Sequence, residues 1–401
     1  MRILSIVPFP PRLDAAHGGG KATANLLIRL AERHSVALVH LRRAGESPAD
    51  PALLAGCALI EEFLATEPDP HSLSRRLRKV PLLARGIPLW AIDVDAGRLA
   101  PAVARVAARW CPDVVQIEFA VAIGAAGFLP ASIPLVLVDH DPGVARAEGE
   151  LAAAAPKERL LRRADLRAWR RFEQRALERA AATVVFTDRD RAILARTAPN
   201  APIHVIPLGI SVTAMPLDAL GTEQTIVFVG SFVHPPNIDA ALHLVHDIVP
   251  RVRAHHPGVR TYIVGDQPPP ELLGLAGNDV IVTGRVDSVD CYLNRAAVVV
   301  APLREGGGMR VKVLEALAAG KALVATPLAV AGLDVTNNEE LLIACGTEAF
   351  SDAVSSLLTD SDHRTTLARN AAEWARGRAS WDIVAGSYER LYTSILFPTR
   401  A

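Results

Sequence analysis

The sequence predicts an α/β protein made of two facing, doubly wound parallel-sheet domains, and three observations predict it. Short apolar runs alternate with helical segments along nearly the whole chain, which is the pattern of βαβ crossovers and parallel sheets. Many of the runs are continuous stretches of Val, Ile and Leu rather than alternating apolar and polar residues, as strands covered on both faces require. The pattern then restarts after a polar stretch, Ser211 to Gln224, and 401 residues comfortably exceed the ~100–200 residues of one domain.

In order, the first half gives a strand at RILSIV (2–7), a helix over Gly19 to Arg33, a strand at VALVHL (36–41), and helical segments to about residue 109. DVVQIE (113–118), PLVLVDH (134–140), ATVVFTD (182–188) and IHVIPLG (203–209) follow as strands. Helix 157–181 is Arg-rich, with Leu161, Ala164, Ala168, Phe172 and Ala176 on one face. Its acidic residues Glu158, Asp165, Glu173 and Glu178 offset the charge, which favours a helix covering the sheet over one lying on a membrane. The second half reads TIVFVG, helix 237–254, RTYIVG, DVIVTG, helix 287–296, AVVVAP, helix 311–319 and ALVAT. A final helical segment, Asp362 to Leu396, has no strand after it. The boundaries expected are 1–212, 213–376 and a closing helix, 377–401, that crosses back onto the first domain.

Composition removes several classes of function. Basic and acidic residues balance at 43 each, without the positive surplus that gripping nucleic-acid phosphates needs. Cys57, Cys111, Cys291 and Cys345 are scattered, with neither C-x-x-C nor Cys/His ligand spacing, so neither a disulfide framework nor structural zinc is expected. The opening apolar run is broken by Pro8, unlike a signal peptide, and no stretch reaches the roughly 20 apolar residues of a membrane span. A cytoplasmic protein is expected, with weak peripheral attachment to the inner membrane face as its closest approach to lipid.

The window with most chemistry follows the strand VVVAPL: Glu305, Gly306, Gly307, Gly308, Met309, Arg310, then a helix near Val311 with Lys312, Val313 and Glu315. Glycines let backbone approach a ligand closely, and the N–H groups at a helix start favour an anion. Arg310 and Lys312 add positive charge where a diphosphate would sit, and Glu315 can accept hydrogen bonds from sugar hydroxyls. A second glycine run, Gly18, Gly19 and Gly20, precedes Lys21 at the start of another helix. Lysine is scarce in this Arg-rich chain, standing only at 21, 79, 157, 312 and 321, so two of its five positions fall in candidate phosphate loops. No G-x-G-x-x-G and no acidic residue closing VALVHL support a nicotinamide or flavin site. His140 and Glu118 end neighbouring strands, where ligands of open α/β sheets collect. Asp139, His140 and Asp141 alternate in direction along their strand and make poor joint metal ligands, so no metal is expected.

These pieces resemble the retaining glycosyltransferases of family 4, which have the GT-B fold of two Rossmann-like domains. The resemblance runs over nearly the whole chain through IVFVGSF (226–232), Asn237, YIVGD (262–266), VTGRV (282–286), residues 298–326 and Gly332. It departs at the family's paired glutamates, which have seven residues between them, whereas Glu305 and Glu315 have nine. That spacing resembles a subgroup whose loop reads G-G-G-x-R-x-K-x-L-E-A. The loop SFVHPPN also lacks the Arg and Lys that the family carries there, consistent with Arg310 and Lys312 making the phosphate contacts.

The resemblance implies a donor set of Gly230, Arg285, Val286, Glu305, Gly306, Gly307, Gly308, Met309, Val313 and Glu315, with Glu315 on the ribose and Arg285 and Val286 at the base. It implies that His140, Arg310 and Lys312 act at the transferring sugar and leaving group, and that Gly18, Gly19, Gly20, Lys21 and Glu118 lie by the acceptor or a phosphate. The activity implied is retaining transfer of a hexose-type sugar from a UDP-, GDP- or dTDP-sugar to a hydroxyl of a saccharide, a lipid-linked glycan or a natural-product aglycone. No resident cofactor or metal is implied. A nucleotide-sugar epimerase or a phosphorylase of the same fold, or a non-catalytic sugar-nucleotide-binding subunit, are the rival readings.

Overall fold

The computed structural model describes residues 1–15, 17–65, 73–212, 224–306 and 311–398. The chain divides into two compact units, Met1–Pro207 with Val384–Ala401, and Leu208–Ile383.

The first unit holds a seven-stranded sheet of β1 (Arg2–Val7), β2 (Ser35–Arg43), β3 (Leu59–Ala65), β4 (Val114–Glu118), β5 (Leu135–Val138), β6 (Ala182–Val185) and β7 (Ile203–Val205), ordered β3-β2-β1-β4-β5-β6-β7. Every pairing in it is parallel. β4, β5 and β6 are buried at every position, which is why their sequences are continuous apolar runs. β3 was expected to be helical. Its segment LIEEFLA alternates half-buried and exposed side chains, the pattern of an edge strand with one wet face.

The second unit holds a six-stranded sheet of β8 (Thr225–Val229), β9 (Arg260–Val264), β10 (Val280–Gly284), β11 (Val298–Ala301), β12 (Leu323–Ala325) and β13 (Leu342–Ile343), ordered β10-β9-β8-β11-β12-β13 and again all parallel. Both units are therefore doubly wound, and in each the strand order reverses beside the first strand. That reversal opens a crevice at the carboxyl ends of the strands. In this sheet the two-residue β13 was absent from the sequence reading.

The Arg-rich helix spans Arg159–Arg179 and covers the first sheet, but its buried stripe differs from the expected one. Ala168 and Ala176 are buried and Leu161 is exposed, while the charge-offsetting Asp165 and Glu173 face inward. Each has backbone to hold. Asp165 accepts from the Leu89 N–H at 2.7 Å, and Glu173 accepts from the Val144 N–H at 3.2 Å and the Thr197 hydroxyl at 3.3 Å. The last helix, Trp381–Leu396, brings the chain back into the first unit, where Tyr388 and Tyr392 are fully buried. Among the described residues no helix is long and apolar enough to cross a membrane.

Candidate functional site

In the first unit the glycine run opens the helix Gly18–Ala31. His17 caps it, Nδ1 accepting from the Gly20 N–H at 3.0 Å, which leaves the Gly18 and Gly19 N–H groups without intrahelical partners. Glycine is required at position 19, where a Cβ would stand 2.5 Å from Phe119 Cζ and 3.3 Å from His140 Nδ1. Lys21 is exposed in the first turn.

β4 and β5 deliver the other side. Phe119, directly after Glu118, is held at φ 66°, a strained conformation for a bulky residue, and its ring stacks on His140 at 3.9 Å between centroids. Phe186 meets His140 edge-on and Phe9 meets both Phe119 and His17. Glu118 is 1% exposed, and its Oε2 lies 2.7 Å from His140 Nε2 and accepts from the Thr23 hydroxyl at 3.3 Å. Gln116 donates to the other carboxylate oxygen and accepts from the Tyr392 hydroxyl. Burial, with His140 adding to it, pushes the His17 imidazole below its usual value. The structure thus brings Gly19, Gly20, His140 and Glu118 together around His17 and Phe119. His17, Phe119, Gln116 and Tyr392 were missed; histidine is an uncommon N-cap, and Tyr392 joins from more than 270 positions away.

Beside this cluster Asp139 is buried, and its Oδ2 has no hydrogen-bond partner. Burial holds its carboxyl well above the usual range, and Glu173, Asp141 and Asp190 push the same way. Among the described residues no group of three or more His, Cys, Asp or Glu is arranged to hold a metal ion.

In the second unit the loops after β8, β9 and β11 converge. Gly265 carries φ 155°, and a Cβ there would fall 1.8 Å from the Gly230 carbonyl oxygen, so these backbones touch only because the residue is glycine. Lys312, in the first turn of the helix Val311–Ala318, sends its amine to this place. Its Nζ donates to Asn237 Oδ1 at 2.5 Å, lies 4.5 Å above the Phe228 ring, and stands 3.1 Å from where a Gly230 Cβ would be. Asn237 is fixed in turn by donating to the Ser231 carbonyl at 2.6 Å. The helix after β11 thus places the Lys312 amine beside the end of β8.

Arg304 does not point toward Lys312's partners. It grips Asp239 with two bonds, 3.0 and 2.5 Å, which holds the Asp239 carboxyl below its usual range and ties down the start of the loop. Glu305 is exposed, Gly306 has φ 105°, and Glu315 is half-buried one turn into the helix. Val313 is fully buried in the hydrophobic core. Arg285 is exposed after Gly284 (φ 69°), while Val286 packs against the hydrophobic core. Gly307, Gly308, Met309 and Arg310 lie outside the described residues.

Two doubly wound parallel-sheet units are the architecture of the GT-B fold. The sequence matches two family models, Glycosyltransferase Family 4 over residues 16–214 and Glycosyl transferases group 1 over residues 223–360. Together with the fold they make this chain a family 4-like glycosyltransferase. Among solved structures it is similar to the sucrose-phosphate synthase of Thermosynechococcus elongatus, with 18% identity, TM-score 0.70 and all of both chains covered. It is also similar to HepE of Anabaena in complex with UDP and glucose, with 14% identity, TM-score 0.62, and 98% of this chain and 99% of that one covered. WaaG, a glycosyltransferase involved in lipopolysaccharide biosynthesis, gives 15% identity, TM-score 0.63, and 99% and 100% coverage. A curated relative, an exopolysaccharide phosphotransferase of Streptomyces coelicolor, is 26% identical over 228 residues, 54% of this chain. This chain spans only 23% of that relative's length.

Proposed function

We propose that the chain is a retaining glycosyltransferase that moves a hexose-type sugar from a nucleotide-diphosphate sugar to an acceptor hydroxyl. The observation that carries this reading is the Lys312 amine, held by Asn237 and Phe228 against the Gly230 backbone at the end of β8. A fixed cation beside closely approached glycine backbone, at a helix start, suits a diphosphate. The similar HepE protein has been seen with UDP and glucose, which favours a donor of that kind.

In this reading Lys312 and Arg310 stabilise the charge that develops on the departing nucleotide diphosphate, a role protein cations fill without a resident metal. Because Lys312 is already anchored, little reorganisation accompanies the reaction. Glu315 accepts from the donor ribose hydroxyls, and Gly306 to Gly308 offer backbone N–H groups to the phosphates. Arg285 and Val286 meet the base through their backbone. In the first unit His140 contacts the transferring sugar, and Gly18 to Lys21 receive the acceptor or a phosphate. The acceptor reading leans toward a glycan, in line with the relative whose name concerns an exopolysaccharide.

Calorimetric titration of UDP, GDP and dTDP tests the donor half. One of the three should bind wild type, and Glu315→Ala should weaken it about 10- to 100-fold, the loss of a charge-assisted hydrogen bond. Unchanged affinity would remove Glu315 from the ribose.

A further inference from the structure

We propose that Tyr392, on the terminal helix, is a positioning residue for the sugar-transfer site: through Gln116 it holds the Glu118 carboxylate, which fixes His140 as the Nε2–H tautomer and leaves Nδ1, beside the Gly19 backbone, as the hydrogen-bond acceptor for a ligand hydroxyl. The argument rests on direction. The Tyr392 hydroxyl donates to Gln116 Oε1, which sets the Gln116 amide so that its nitrogen donates to Glu118 Oε1. Thr23 donates to Glu118 Oε2 at 3.3 Å. His140 Nε2 lies 2.7 Å from that same oxygen, and since a carboxylate only accepts, Nε2 carries the hydrogen. Nδ1 is then the lone-pair nitrogen. It faces the Gly19 backbone, 3.3 Å from where a side chain at that position would begin.

Nothing in this chain is free to turn over. Tyr392 and Gln116 are fully buried, Glu118 is 1% exposed, and the His140 ring is clamped face-on by Phe119 and edge-on by Phe186. Burial, with Glu118 next, raises both the Tyr388 and the Tyr392 phenols well above their usual value, so each stays a hydroxyl donor. The last helix thereby reaches the ring at the sheet's carboxyl edge by three consecutive hydrogen bonds. Buried networks of this kind, fully satisfied, select one arrangement.

The reading of His140 as a sugar-contacting group comes from the proposed function, so the test separates the two. Long-range 1H–15N correlation on the 15N-histidine-labelled full chain reports tautomers directly, with the His140 signals assigned by their loss in His140→Gln. Wild type should show Nε2–H wherever the ring is neutral. Glu118→Gln, whose amide donates where the carboxylate accepted, should switch His140 to Nδ1–H, whereas Tyr392→Phe, which leaves the carboxylate accepting, should keep Nε2–H and shift the His140 ring signals. An Nδ1–H tautomer in wild type, or one indifferent to Glu118→Gln, would overturn the proposal. In transfer assays Tyr392→Phe should lower kcat about tenfold and Glu118→Gln about 100-fold or more, with nucleotide-diphosphate affinity unchanged. The expected tautomers without any transfer by wild type would instead refute the proposed function and leave the relay standing. Equal losses of kcat and of nucleotide affinity would reduce Tyr392 to a structural residue.

Discussion

Removing the Lys312 amine while keeping its alkyl stem should abolish most turnover and leave the fold nearly intact. Lys312→Met does this, because the thioether chain still covers Phe228. Structurally the change forfeits the bond to Asn237 and the cation–π contact at 4.5 Å, and the side chain is only half-buried. Such terms sum to about 1 kcal/mol, or ~2–4 °C in Tm for a unit of this size. Against a diphosphate the same amine is worth more. A unit charge about 4 Å from an anionic oxygen contributes about 4 kcal/mol at an effective dielectric of 20, and half that with partial solvent screening. Transfer should therefore slow by roughly 30- to 1,000-fold. The assay pairs initial rates of nucleotide-diphosphate release with thermal unfolding. Lys312→Arg should recover part of the rate, since charge survives while the Asn237 geometry does not. Near-wild-type rates for Lys312→Met in a folded protein would refute the leaving-group argument.

Gly19→Ala places a methyl 2.5 Å from Phe119 Cζ, and Phe119 cannot retreat without leaving its stack on His140. A destabilisation of about 1–3 kcal/mol and a shifted His140 ring signal are expected, read by denaturant unfolding and NMR; neither effect would mean the loop is looser than drawn. Asp139→Asn should flatten the pH dependence of stability. The folded-state carboxyl is raised by burial, then by Glu173, Asp141 and Asp190, so its contribution is full below the unfolded value of about 3.9 and is lost as pH rises through the folded one. The Tm advantage of Asp139→Asn over wild type should thus grow between pH 5 and pH 8, and a gap equal at both would contradict the assignment. Arg304→Ala frees the loop after β11 from Asp239; this half-exposed pair is worth under about 1 kcal/mol, so Tm should barely move.

The two sheets were legible because their central strands are buried on both faces and so read as unbroken apolar runs. β3 was not, since an edge strand alternates, and LIEEFLA lies among segments with helical spacing. The strand ends at Glu118 and next to His140, and the helix starts at Gly18 and Val311, were legible from the apolar runs and the glycines that follow them. What escaped were partners fixed by long-range packing. No local signal in VVQIE says that Gln116 will receive a hydroxyl from Tyr392, or that Phe119 will adopt a positive φ to lie flat on a histidine. The inward turn of Asp165 and Glu173 escaped for the same reason: a helical wheel sees a carboxylate, not the unpaired backbone N–H across from it.

Retention and the nucleotide donor can be tested together before any acceptor is identified, because water serves as a slow one. Wild-type protein is incubated with α-linked UDP-, GDP- and dTDP-hexoses, and 1H NMR follows the anomeric signal of the first sugar released. The account predicts nucleotide diphosphate and the α anomer from at least one donor, ahead of mutarotation. Release of the β anomer, or intact donors throughout, would contradict it.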